Sequence, residues 1–189
     1  GGVNRPPMSS LFPSNTGKSP IIGAPFFGGA FCTRRLVRSL ARKLVDHRYT
    51  MVTAESCTGG LLASVLTEVP GASRFFWGGY VCYAGDAKIS QLGVEKRLLE
   101  TYGAVSREVA EAMARGALSR SGATLAVAIT GLAGPTGDGS ATPIGTVWIS
   151  CALREGLVRS KDYVFSGSRN AIRKRAMRSA LFQILDLLP

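Results

Sequence analysis

The chain is predicted to fold as an α/β layered sandwich with a mixed central sheet. Three observations predict it. Short apolar runs alternate with segments of helical period along most of the chain. Thr124–Thr130 (TLAVAIT) is almost uniformly apolar, as expected of a strand covered on both faces. Late in the chain, Thr146–Leu153 and Leu157–Phe165 flank Arg154-Glu155-Gly156 as the arms of a hairpin, so part of the sheet is antiparallel.

The elements follow in order. Residues 1–32 form an irregular basic extension, rich in Gly, Pro and Ser at its start and without helical or strand period. Its apolar stretch IIGAPFFGGAFC is too short for a membrane span. A leader with Arg and Ser but no acid has the character of an organellar targeting sequence. The expected location is therefore mitochondrial or otherwise organellar if this is a targeting remnant, and cytoplasmic if the chain is bacterial. From Thr33 to residue 189 the pattern is that of a single α/β domain. Leu36, Val37, Leu40, Leu44 and Val45 share one helical face. Thr50–Ala54 reads as a buried strand, Thr58–Thr67 as a helix stopped by Pro70-Gly71, Gly78–Tyr83 as a strand and Asp86–Leu92 as a short helix. Ser106 caps a helix over Arg107–Ser121, with Glu108 favourably placed in its first turn. After TLAVAIT comes a long Gly/Pro/Thr loop from Gly131 to Gly145, then the hairpin. Ser168 caps a last helix whose Ile172, Ala176, Ala180, Ile184 and Leu188 lie on one face.

Composition narrows the function classes. With 189 residues, 46% hydrophobic and 19% charged, the bulk of the chain suits one folded domain and not a disordered segment. No apolar run approaches the ~18 residues of a membrane helix. Cys32, Cys57, Cys82 and Cys151 form no Cys-x-x-Cys pair, which argues against a zinc knuckle or a thioredoxin-type motif. The net charge of +11 is unevenly spread. Residues 1–45 hold seven basic and no acidic residues, 46–153 are near neutral, and 154–189 hold eight basic against three acidic. Basic ends on a neutral body suit polyanion binding by counterion release.

Chemistry is sought where strands end, because ligands gather at strand carboxyl ends in open α/β sheets. The first such loop is Ala54-Glu55-Ser56-Cys57-Thr58-Gly59-Gly60. Ser56 is a candidate nucleophile or a helix cap. Gly59 and Gly60 open a helix whose amides suit an anion or oxyanion. The single histidine, His47, sits in a charged stretch and suits a solvated surface position, so a Ser-His-Asp triad is disfavoured. The second loop, Tyr83-Ala84-Gly85-Asp86-Ala87-Lys88, supplies another base: a partly desolvated Lys88 with lowered pKa, with Tyr83 relaying a proton or orienting it. The competing readings are a snorkelling surface lysine and an edge-strand aromatic. The third loop, Thr130 to Gly139, has the glycines (Gly131, Gly134, Gly137) of a backbone nest for phosphate or sugar, or of a plain flexible connection. Arg169, at a helix start, suits a phosphate grip, while Arg173, Lys174, Arg175 and Arg178 read as a solvated or polyanion-facing surface.

Taken in order, AESCTGG, VPGAS, Tyr-x-x-x-Ala-Lys, LGV, YGAVS, AITGLAGPTG and PIGTVW resemble the CinA C-terminal domain family from about Leu36 to Leu185. The resemblance implies an α/β sandwich, usually dimeric, and hydrolysis of nicotinamide mononucleotide to nicotinate mononucleotide and ammonia, a step of pyridine-nucleotide recycling. It implies a catalytic serine at Ser56, tyrosine at Tyr83 and lysine at Lys88, a substrate-side Thr130-Gly131, and a phosphate-side Arg169. No metal or redox cofactor is implied. The chain departs from the family pattern in three places. Ala84-Gly85-Asp86 stand where Ser-Asn-Glu is common, Thr142 where a lysine is common, and Gly167-Ser168-Arg169 where Gly-Asp-Arg is common.

Two function classes therefore stand. The first is an amidohydrolase in which Lys88, helped by Tyr83, activates Ser56, with Gly59 and Gly60 at the oxyanion and Thr130, Gly131, Gly134 and Arg169 on a small nucleotide substrate. The second is a catalytically weakened, CinA-like subunit of an organellar ribonucleoprotein. It would hold RNA through residues 1–45 and the C-terminal helix.

Overall fold

The structure, a computed structural model, describes residues 30–189. The expected irregular extension and its targeting character fall on residues 1–32, of which 1–29 lie outside the described residues. The first helix, α1 (Ala30–Asp46), begins three residues before the expected Thr33.

Five strands build one mixed sheet: β1 (Met51–Glu55), β2 (Phe76–Val81), β3 (Leu125–Gly131), β4 (Thr146–Leu153) and β5 (Val158–Val164). Their order is β2-β1-β3-β4-β5, with β2, β1 and β3 parallel and β4 and β5 antiparallel to their neighbours. Thus the α/β sandwich with a mixed sheet and a late hairpin is the observed architecture. Because β2 and β3 flank β1 on opposite sides, right-handed crossovers place their helices on opposite faces. One face carries α1, α2 (Leu61–Thr67) and α6 (Arg169–Leu187); the other carries α3 (Gly85–Leu92), α4 (Lys96–Tyr102) and α5 (Arg107–Ser121). No helix among the described residues is long and apolar enough to cross a membrane.

The strand period sorts the core. Leu125, Val127 and Ile129 of β3 face α1, α2 and α6, while Ala126 and Ala128 face α5. Both expected caps are present: Ser106 Oγ accepts from Val109 N and Ser168 Oγ from Ala171 N, each at 3.3 Å. Expected bounds shift and one helix was not expected: β2 spans Phe76–Val81 where Gly78–Tyr83 was read. The helix after the first loop starts at Leu61 and not Thr58, because Gly59 (φ 58°) and Gly60 (φ 94°) hold left-handed backbone that breaks a helical start. The short, charged α4 carries too little apolar period to be read from sequence.

Candidate active site

The loops that follow β1, β2 and β3 meet at the carboxyl edge of the parallel strands. Alternation along β1 sends Met51 and Glu55 toward α2 and Val52 and Ala54 toward α3 and α5. Ser56 extends the strand by one residue, its N–H donating to Ile129 O at 2.9 Å. It therefore turns its hydroxyl to the α3 side, where Lys88 comes from the first turns of α3. Lys88 Nζ lies 2.9 Å from Ser56 Oγ, 2.8 Å from Cys82 O and 3.1 Å from Tyr83 O.

This geometry has a direct chemical reading. Lys88 is 1% exposed and Ser56 7%. Burial pushes the Lys88 pKa below its ordinary value, against weaker opposing contributions from Cys82 and Cys57. A neutral amine has two N–H groups and one lone pair. The Cys82 and Tyr83 carbonyls can only accept, so they take the two N–H groups, and the lone pair faces the serine hydroxyl. When the amine is charged, its third N–H donates to Ser56 Oγ and the serine proton turns to Tyr83 O at 3.5 Å. The neighbouring Cys57 is no rival nucleophile: burial pushes its thiol up to about 11.

The other expected residues are distributed differently from one another. Tyr83 joins the Ser–Lys pair through its main-chain carbonyl. The residue is 59% exposed, and its phenol instead accepts from Arg169 Nη2 at 2.7 Å. Arg169 also donates to Gly134 O at 2.6 Å, so it links the second and third loops. Neither partner is an acid, and among the described residues no carboxylate pairs with this guanidinium. Thr130 is buried and its hydroxyl donates to Ala104 O at 2.7 Å, which ties β3 to the start of α5 and turns that group away from the cleft. Gly131 is required by close approach. A Cβ there would lie 2.7 Å from Val147 Cγ2 and 3.1 Å from Cys57 Sγ. Gly59 uses its N–H to close a turn on Ser56 O at 3.0 Å, and Gly60 sits against Val81. His47 lies before β1, at the opposite end of that strand from Ser56, stacked on Tyr49.

Two contributors escaped the sequence reading. Glu55 is fully buried and its carboxylate accepts from Leu62 N and Ala63 N, both at 2.9 Å. The α2 amides expected to receive an anion are therefore occupied by the chain's own carboxylate. A carboxylate ending an apolar strand was the available signal, since such a group needs donors when buried. Arg173, expected on a solvated surface, donates from Nε to Cys57 O and from Nη2 to Thr58 O, each at 3.0 Å.

Comparison with known proteins identifies the relatives of this fold. Residues 33–188 match the CinA C-terminal domain. The nicotinamide-nucleotide amidohydrolase PncC of Pseudomonas putida is 46% identical over 156 residues, covering 80% of this chain and 96% of that protein. A CinA-like protein of Akkermansia muciniphila is 45% identical over 162 residues, covering 84% of this chain and 39% of that protein. The chain thus spans about two fifths of the length of such longer relatives. Among solved structures, a CinA-superfamily protein of Escherichia coli superposes with a TM-score of 0.82 at 36% identity, covering 89% of this chain and 96% of that one. The competence/damage inducible protein CihA of Agrobacterium tumefaciens gives 0.80 at 40% identity, covering 87% and 99%.

Proposed function

The chain belongs to the CinA C-terminal domain family, and we propose that it is a nicotinamide-nucleotide amidohydrolase using Ser56 as nucleophile and Lys88 as base. The observation that carries this reading is the buried Lys88 Nζ at 2.9 Å from Ser56 Oγ, with both remaining N–H directions taken by carbonyls. The kinship to the Pseudomonas amidohydrolase supports the choice of reaction.

In the proposed reaction Ser56 Oγ bonds to the carboxamide carbon as its proton passes to Lys88. Amides of the turn after Ser56, other than that of Gly59, which closes on Ser56 O, receive the developing oxyanion. The carbon–nitrogen bond then breaks, and Lys88 returns the proton to the leaving ammonia. Water, activated by the same amine, releases the acyl group and regenerates Ser56. Arg169, charged and paired only to neutral groups, attracts the substrate phosphate, with the Gly131–Gly134 segment beside it. Tyr83 orients Lys88 through its carbonyl and Arg169 through its phenol. The homodimer implied by the resemblance belongs to the same proposal.

The test is ammonia release from nicotinamide mononucleotide by the purified protein, with Ser56→Ala as the blank. Release that disappears in the variant is expected. Equal release from both proteins would overturn the mechanism.

One observation favours a second reading alongside the first. Helices α1 and α6 lie on the same face of the sheet, and Lys43 Nζ bonds Pro189 O at 2.8 Å. Among the described residues, this bond brings the last turn of α1 beside the residue that ends the chain after α6. Arg34, Arg35 and Lys43 stand on α1, and Lys174 and Arg175 on α6. Such a surface suits RNA phosphates, and with it an organellar ribonucleoprotein role. RNA binding that weakens steeply with salt is expected, and salt-insensitive or absent binding would sink this reading.

A further inference from the structure

Arg173 lies on α6, one turn after Arg169, and reaches the turn that follows Ser56. All three guanidinium nitrogens are engaged. Nε donates to Cys57 O and Nη2 to Thr58 O, both at 3.0 Å, and Nη1 donates to Asn170 Oδ1 at 3.1 Å. The side chain is thus held on its own helix at one edge and grips two consecutive peptide carbonyls at the other. It also lies beside the turn itself: a Cβ at Gly59, whose φ is 58°, would be in ordinary contact with Arg173 Nη2 at 3.5 Å.

In a planar trans peptide the C=O and N–H point in opposite directions. A carbonyl held toward α6 therefore turns the amide of the next residue away from α6. Cys57 O governs the Thr58 amide, and Thr58 O governs the Gly59 amide. The Gly59 amide does point back, closing onto Ser56 O at 3.0 Å. The opposite face of the sheet is the one from which Lys88 reaches Ser56 Oγ. The nucleophile turn is thus held from both sides, its serine hydroxyl by a lysine of α3 and its carbonyls by an arginine of α6.

We propose that Arg173 is a positioning residue for this turn. By fixing the Cys57 and Thr58 carbonyls, it aims the Thr58 amide at the place where the oxyanion forms. The inference rests on the amidohydrolase reading for its substrate, but only on Ser56 being a nucleophile for its geometry. The cationic fork also polarises the Cys57–Thr58 peptide, which makes the Thr58 N–H a stronger donor to developing negative charge. Three of the five guanidinium N–H groups hold the protein itself, two of them the turn, so a positioning role places the effect of Arg173 in turnover rather than in substrate binding. Lysine cannot replace it, because one ammonium lacks the planar fork that spans two carbonyls.

The experiment compares wild type, Arg173→Ala and Arg173→Lys with nicotinamide mononucleotide. Both variants are expected to lose about 10- to 100-fold in kcat with KM within about twofold. Added guanidinium ion is expected to restore part of the activity of Arg173→Ala. Unchanged kcat in Arg173→Lys, or a loss confined to KM, would overturn the proposal. Should Arg173→Ala fail to fold, Arg173→Lys alone decides. If wild type itself releases no ammonia, the amidohydrolase reading falls and a small fluorophosphonate decides the matter separately. Its fluoride leaves as Ser56 Oγ bonds to phosphorus and the serine proton moves to Lys88. Labelling of Ser56 at least about tenfold slower in Arg173→Lys is expected. Equal rates, or no labelling of wild type, would overturn the proposal.

Discussion

The two faces of the sheet are built from different materials. Toward α1, α2 and α6 the core is large and branched: Leu62, Leu66, Phe75, Leu125, Ile129 and Ile149 are all buried there. Toward α5 the sheet presents Ala54, Ala126, Ala128 and Ala152, met by Ala114 and Ala117 of the helix. The first face fills volume. The second sets distance, since small side chains let a helix backbone approach the strands closely. Within this layer the helices also meet closely: a Cβ at Gly116 of α5 would lie 2.0 Å from the O of Leu92, the last residue of α3. Because α3 also carries Lys88, the base of the candidate site is placed by the face with the least room for change.

The sharpest test of that division is Lys88→Met, which keeps length and burial but removes the amine. Ammonia release should fall by about 10²- to 10⁴-fold while circular dichroism reports a native fold. Activity within a few-fold of wild type would remove Lys88 from the chemistry. Next comes Leu125→Ala on the volume-filling face. It should cost about 2–5 kcal/mol in urea unfolding and leave kcat within about twofold. Gly116→Ala belongs to the other face and should behave differently. Its stability loss is expected to be smaller, about 1–3 kcal/mol, but kcat should drop roughly tenfold as α3 and Lys88 shift. If Gly116→Ala loses stability without kcat, the two faces do not differ in the way described here.

The smallest effect is in pH. With Lys88 as base, kcat should rise with pH until the lysine is neutral and then level off. Stability has a matching sign. The folded pKa of Lys88 lies below its unfolded value, so the unfolded chain holds more protons between the two. Its stabilising contribution is present above the ordinary lysine value of about 10.4 and is lost as pH falls through the folded value. Cys57 and Cys151, pushed up to about 11 and about 12, act oppositely. Their contribution is present below the ordinary thiol value of about 8.5 and lost as pH rises through the folded values. Melting curves across pH should therefore lose the lysine slope in Lys88→Met and keep the alkaline fall.

The candidate site was only partly legible in the sequence. Ser56 and Lys88 stood out as a hydroxyl and an amine in the segments after two strands, but spacing alone left a helix cap and a surface lysine open, and the family resemblance singled them out. The role of Tyr83 could not be read, since it orients Lys88 through a carbonyl, and every residue carries one. Arg173 was hidden among Lys174, Arg175 and Arg178, which have the same charge and other surroundings. Thr130 read as a ligand group, yet its hydroxyl faces Ala104 O, a partner 26 positions away. Glu55 was visible as a carboxylate but not as the group that fills the α2 N-terminus.

What the sequence determined by itself is the order of the strands and longer helices and the apolar face of those helices. Apolar period, serine caps and glycine turns act within a few residues, so they are written locally. Only the tertiary structure decided what meets Ser56. The crossovers bring a lysine 32 positions onward to its hydroxyl and an arginine 116 positions onward to the carbonyl of Cys57. Such pairings depend on distances set by packing across the whole sheet, which no local pattern of residues encodes.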